Sequence, residues 1–124
     1  MVGVLAIDDH PQFLAVLRAV VEATPGFEWR AGAGSGPEAL ELLGEHPPDL
    51  ALIDVNMPGM GGVEVAREVR RRSPGTVIAL VSAHEPSQAI GEGSAAEFGA
   101  VTPKERLRGG WLDEIWRSRS PARR

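Results

Sequence analysis

Leu50-Ala51-Leu52-Ile53-Asp54-Val55-Asn56-Met57-Pro58-Gly59-Met60-Gly61-Gly62 joins an uninterrupted apolar run to a carboxylate and then to a segment rich in proline and glycine. Four consecutive apolar residues with no polar alternation read as a strand buried on both faces, the pattern of a parallel sheet sandwiched between helices. The prolyl and glycyl residues constrain a tight loop before the next helix and would hold Asp54 rigidly. Asp54 therefore stands at the carboxyl end of a buried strand, where ligands bind in open parallel sheets.

The same arrangement recurs outward in both directions. Asp8-Asp9 follow the apolar run of residues 2–7, Ser82 follows VIALV, and Lys104 follows AVTP. Between these runs lie stretches of helical period. Pro11 can open a helix with Phe13, Leu14, Leu17, Val20 and Val21 on one stripe. After a weaker strand over 27–33, Ser35-Gly36-Pro37-Glu38 starts a second helix through Leu40, Leu42 and Leu43. Residues 63–72 predict a third, with Val65, Ala66 and Val69 inward and arginines outward. A buried strand over 76–81 follows, then a helix over 86–97 weakened by Gly91 and Gly93, and a short strand over 100–102. Trp111, Leu112, Ile115 and Trp116 form a last apolar stripe. Five strands alternating with five helices predict an α/β fold, a doubly wound parallel sheet with helices on both faces. Pattern alone leaves the strand order open.

Composition narrows the function classes. The 124 residues suit one domain, and 43% hydrophobic content suffices for one core. A net charge of −4 does not suggest a domain held to nucleic acid by bulk electrostatics. With no cysteine, disulfides, thiolate zinc sites and thiol catalysis are excluded, which is compatible with a reducing cytosol. The N-terminal apolar run is too short to span a membrane and ends in two aspartates, unlike a signal peptide. A cytoplasmic protein without membrane contact is expected. Residues 120–124 form a basic tail or linker remnant whose arginines read as solvated rather than as phosphate contacts.

Asp8-Asp9 alone reads more readily as a solvated turn or a helix cap. A third carboxylate at a neighbouring strand tip changes this, because clustered ionised carboxylates repel unless a hard cation neutralises them. Magnesium is the natural candidate, since it accepts a few carboxylates and keeps open positions for a phosphoryl oxygen. His10, His46 and His84 are scattered and read as surface or capping residues. Trp111 and Trp116 fit a homodimer anchor or, at helical spacing beside Leu112 and Ile115, the core.

Taken in order along the chain, Asp8-Asp9-His10-Pro11, Asp54 through Met60, Ser82-Ala83-His84 and Lys104 resemble the receiver domain of bacterial two-component response regulators. The resemblance covers residues 1–119 and is strongest to receivers that precede a LuxR/FixJ-type helix-turn-helix domain. It implies a flavodoxin-like topology with strand order 2-1-3-4-5. Asp54 would accept a phosphoryl group from a phosphohistidine of a sensor histidine kinase or phosphotransfer protein, forming an acyl phosphate. Asp9 and Asp54, helped by Asp8 and the carbonyl of Asn56, would hold Mg2+. Ser82 would donate a hydrogen bond to one phosphoryl oxygen and Lys104 would pair with another. Ala83 would leave a path for the donor or water, and Asn56 and His84 match positions that tune phosphoryl lifetime. The implied role is a relayed signal, a two-state switch of the partner-binding surface, rather than enzymatic turnover.

The chain departs from the family at Val101, where many receivers carry Tyr or Phe three residues before the lysine, and at Gly61, where a helix-capping aspartate is common. A DNA-binding output domain is absent from this segment, so the expectation is a stand-alone receiver or the regulatory part of a transcription factor. Two rivals remain: a phosphorylation-independent interaction module on the same fold, and an aspartate-nucleophile phosphohydrolase. The latter needs a carboxylate where Asn56 stands.

Overall fold

A computed structural model describes residues 1–44, 47–83, 98, 101–107 and 110–119. Strands β1 (Val2–Ile7), β2 (Phe27–Ala33), β3 (Leu50–Asp54), β4 (Val77–Ser82) and β5 (Thr102–Pro103) alternate with α1 (Pro11–Glu22), α2 (Gly36–Leu43), α3 (Gly62–Arg72) and a C-terminal helix, Trp111–Arg119. All pairings are parallel and the order is β2-β1-β3-β4-β5, the order implied by the resemblance. The order reverses between β1 and β3, which opens a crevice beyond their carboxyl ends.

Alternate residues of each strand feed two cores. Leu5, Ile7, Ala51, Ile53, Ile78 and Leu80 pack with Ala39, Leu43, Val65, Ala66 and Val69 of α2 and α3. Val4, Ala6, Leu50, Leu52, Val77, Ala79 and Val81 pack with Leu17 and Val21 of α1 and with Trp111, Leu112 and Ile115. This two-sided burial is why the strands read as continuous apolar runs. The tryptophans join the second core: Trp111 is buried and Trp116 is half-buried against it.

Local boundaries differ slightly from expectation. Helix α2 carries the predicted cap, with the Glu38 N–H donating to Ser35 Oγ at 3.3 Å and Glu38 Oε1 accepting from the Gly34 N–H at 2.7 Å. Strand β4 begins at Val77, because the Thr76 N–H closes a turn onto the Ser73 carbonyl and its hydroxyl donates to the Pro48 carbonyl at 2.8 Å. Strand β3 runs on to Asp54 and β4 to Ser82, so both polar residues end their strands rather than follow them. Helix α3 starts at Gly62, with Gly61 as its N-cap and no side chain to cap it. Strand β5 lies at 102–103 instead of 100–102. The expected helix over 86–97, with Gly91 and Gly93, lies outside the described residues, as do His46, His84 and the tail at 120–124. Phe98 is helical and buried.

Candidate functional site

Strand register assembles the site. Ile7 pairs with Ile53, so Asp8 and Asp54 come next at the same level on adjacent strands. Asp54 pairs with Val81, which puts Ser82 one step beyond it. Ser82 in turn pairs with Pro103, which puts Lys104 one further step out on the sheet edge. Four residues separated by up to 96 positions in the chain (104 minus 8) thus meet at one end of the sheet.

The carboxylates converge there. Ligand atoms of Asp8, Asp9, His10 and Asp54 all lie within 4.8 Å of one another. Asp8 is fully buried; its Oδ1 accepts from the His10 backbone N–H at 2.9 Å and lies 3.0 Å from His10 Nδ1, and its Oδ2 is 2.7 Å from Lys104 Nζ. His10 Nδ1 is also 3.2 Å from Asp9 Oδ1. Lys104 Nζ reaches Asp54 Oδ1 at 3.7 Å, and the same oxygen accepts from the Asn56 N–H at 3.3 Å. The second oxygen, Asp54 Oδ2, is buried and has no hydrogen-bond partner among the described residues. Asn56 Nδ2 donates to Ser82 Oγ at 3.1 Å.

Burial raises the Asp54 carboxyl above the ordinary aspartate range, and the neighbouring Asp8 charge pushes the same way, with a smaller push from Asp9. Lys104 and the Asn56 N–H pull in the opposite direction without prevailing. An upward-shifted carboxyl beside two others, with one oxygen unpartnered among the described residues, is a place where a hard divalent cation is electrostatically favoured. The all-oxygen donor set of Asp8, Asp9 and Asp54 fits magnesium.

Sequence reasoning brought together Asp8, Asp9, Asp54, Asn56, Ser82 and Lys104, and the structure gathers all six; Ala83 is exposed next to Ser82. His84 lies outside the described residues. Two contacts were missed. His10, read as a surface or capping residue, is exposed and stands at the N-cap of α1, but its Nδ1 also lies beside both acidic side chains, and its place directly after Asp9 was the available signal for that contact. Phe13, read only as core, lies under Lys104 with its ring centroid 4.1 Å from Nζ.

The chain is similar to known proteins. The response regulator receiver domain family matches residues 4–105. The chain is 40% identical over 98 residues to "Probable transcriptional regulatory protein NarL" of Mycobacterium tuberculosis, covering 76% of this chain and 45% of that protein. It thus spans less than half the length of this relative. A two-component response regulator of the LuxR family from Aurantimonas superposes with a TM-score of 0.80 at 27% identity, covering 99% of this chain and 92% of the other. The regulator TrrA of Thermotoga maritima, solved with Mg(2+)-BeF, superposes at 0.74 and 27% identity over 95% of this chain and 96% of its own. TrrA is also known bound to the histidine kinase ThkA. A parallel five-stranded sheet in this order, three carboxylates at its switch point and a lysine reaching them across the edge agree with a family match over most of the chain, which belongs to the receiver domains of response regulators and is most like those of LuxR-type regulators.

Proposed function

We propose that Asp54 accepts a phosphoryl group from a phosphohistidine of a sensor histidine kinase or phosphotransfer protein, in a magnesium-dependent reaction in the cytoplasm. The observation that carries this is Asp54 Oδ2, a buried carboxylate oxygen without a hydrogen-bond partner among the described residues, in a carboxylate shared by the Asp8–Asp9 cluster and by Lys104, whose Nζ lies 3.7 Å from the other oxygen. Asp54 attacks phosphorus, and the donor imidazole leaves with the electron pair of the broken P–N bond. Asp8, Asp9, Asp54 and the Asn56 carbonyl would hold the ion, which supplies neutralising charge for carboxylate and phosphoryl oxygens.

The remaining work falls to the chain itself. Ser82 Oγ now accepts from Asn56 Nδ2, and turning to donate to a phosphoryl oxygen exchanges that bond for a charge-assisted one. Lys104 needs to shift its ammonium from Asp8 toward the new dianion on Asp54. Both residues sit at the β4–β5 edge, so their movement reshapes the adjoining surface. Residues 1–119 act as the receiver and 120–124 as a tail or linker, the receiver working alone or regulating a DNA-binding domain, as the similarity to transcriptional regulators supports.

A phosphorylation-independent interaction module is the second reading, favoured by Val101, which is 5% exposed within the core beside Phe98 and has no aromatic ring to swing. The phosphohydrolase alternative fits poorly, because Asn56 offers an amide bound to Ser82 where that chemistry needs a carboxylate. Intact-mass spectrometry after incubation with phosphoramidate and magnesium, comparing wild type with Asp54→Ala, separates the readings. One added phosphoryl group, lost in the variant and under chelation, supports the receiver; no addition supports the constitutive module.

A further inference from the structure

The ammonium of Lys104 has a third neighbour besides the two aspartates. Phe13, in the first turn of α1, is half-buried against the core, and its ring lies 4.1 Å from Nζ. Lys104 is 14% exposed, 2.7 Å from Asp8 and 3.7 Å from Asp54. A lysine stem has four rotatable bonds, so its ammonium can follow whichever oxygen carries most charge. The ion pair with fully buried Asp8 is the shorter of the two and keeps the ammonium nearer Asp8 than Asp54. A ring face attracts a cation electrostatically, accepts no proton and demands no single direction. It therefore gives the ammonium a surface along which to move between Asp8 and a phosphoryl group on Asp54.

Resting on the phosphoacceptor reading above, we infer that Phe13 is a positioning residue for phosphoryl transfer: its ring holds the Lys104 ammonium at the strand tips and lets it swing from Asp8 to the phosphoryl oxygens on Asp54. In the reaction with phosphoramidate, the Asp54 oxygen–phosphorus bond forms as the phosphorus–nitrogen bond breaks. Nitrogen keeps the electron pair and, already carrying its protons, departs as ammonia. The Lys104 ammonium neutralises charge on a phosphoryl oxygen and gives up no proton. Phe13 touches none of the reacting atoms and acts only through Lys104.

The test is a double-mutant cycle on phosphoramidate phosphorylation, read by intact mass in the presence of magnesium. Phe13→Leu keeps apolar bulk but removes the ring, and should slow labelling of Asp54 about fivefold, within the range of a partly desolvated cation–π contact. Phe13→Tyr should restore the rate to within about twofold. On a Lys104→Met background, followed over hours, Phe13→Leu should cost nothing more. Magnesium affinity should not move, since Phe13 carries no ligand atom. Phe13→Met serves if Phe13→Leu melts below the assay temperature. An equal loss on both backgrounds would mean that Phe13 acts through packing and overturns the inference, as would full activity of Phe13→Leu in otherwise wild-type protein. A wild type that takes up no phosphoryl group overturns the phosphoacceptor reading and this inference together, whereas the preceding two outcomes leave that reading intact.

Discussion

Lys104→Met should destabilise the protein strongly without magnesium and mildly with it. The substitution keeps a long apolar stem but removes the ammonium 2.7 Å from Asp8, a carboxylate with no solvent exposure. Breaking a buried ion pair by deleting one partner costs about 3–5 kcal/mol. Lys104 retains 14% exposure, so water can reach the site and the lower end, about 3 kcal/mol, is expected. With an unfolding entropy of about 2.1 cal/mol/K per residue, 124 residues give about 260 cal/mol/K. Dividing 3 kcal/mol by that entropy gives a fall in Tm of roughly 12 °C. Thermal unfolding followed by circular dichroism at neutral pH, in EDTA and in excess magnesium, measures it. A bound divalent ion stabilises the folded state by mass action and replaces the missing positive charge, so magnesium should recover much of the loss. Asp8→Asn added to Lys104→Met should also recover part of it in EDTA. A variant within 2 °C of wild type in EDTA, on the scale of a surface change, would refute the claim that Lys104 neutralises a buried acidic cluster.

Asp54→Asn should raise Tm in EDTA at neutral pH. The folded-state carboxyl is shifted upward by burial and by Asp8, so wild type loses stability as pH rises through that shifted value, while the amide does not. The advantage of the variant should shrink as pH falls toward the ordinary aspartate value, and a constant gap across a pH series of melts would argue against the cause given. Gly62→Ala should cost about 1–3 kcal/mol in urea unfolding and slow phosphorylation, because the new methyl lies against the Asp54 carbonyl oxygen and Val55 Cα, backbone atoms that cannot swing away. Asn56→Ala should release Ser82 Oγ from its 3.1 Å bond and tighten beryllofluoride binding about fivefold, the worth of one net hydrogen bond; weaker binding would mean that the amide helps hold the phosphoryl state.

Much of this molecule was legible because its strands are buried on both faces. Leu50 to Ile53 and Ile78 to Val81 are apolar at every position, and a polar residue at the end of such a run can only stand at its tip. That locates Asp54 and Ser82 within a residue. The order of the strands depends on contacts between distant segments and came from the resemblance, not from pattern. Trp111 and Trp116 were ambiguous, since an apolar stripe looks the same whether it meets its own sheet or a second copy. The contact of Phe13 with Lys104 was missed for a related reason. Helical period assigns a residue to a face but cannot tell what lies opposite, and the first turn of α1 faces the strand tips as well as the core.

Among the described residues, strand β5 is Thr102–Pro103, and it meets the sheet through two pairs, Val81 with Thr102 and Ser82 with Pro103. Proline has no N–H, so this ladder has one donor fewer than its length suggests. The hydroxyl and the ammonium that would grip a phosphoryl group are both mounted on it, Ser82 within a pair and Lys104 directly after one. A pull on Lys104 is therefore carried by very few backbone bonds, whereas Ser82 is also anchored through the five pairs of β4 with β3. In hydrogen-exchange terms, this margin should open long before β1 and β3, and a ligand that clamps it should be reported there first, as slowed exchange at Thr102 and Lys104 while the central strands keep the protection they already had.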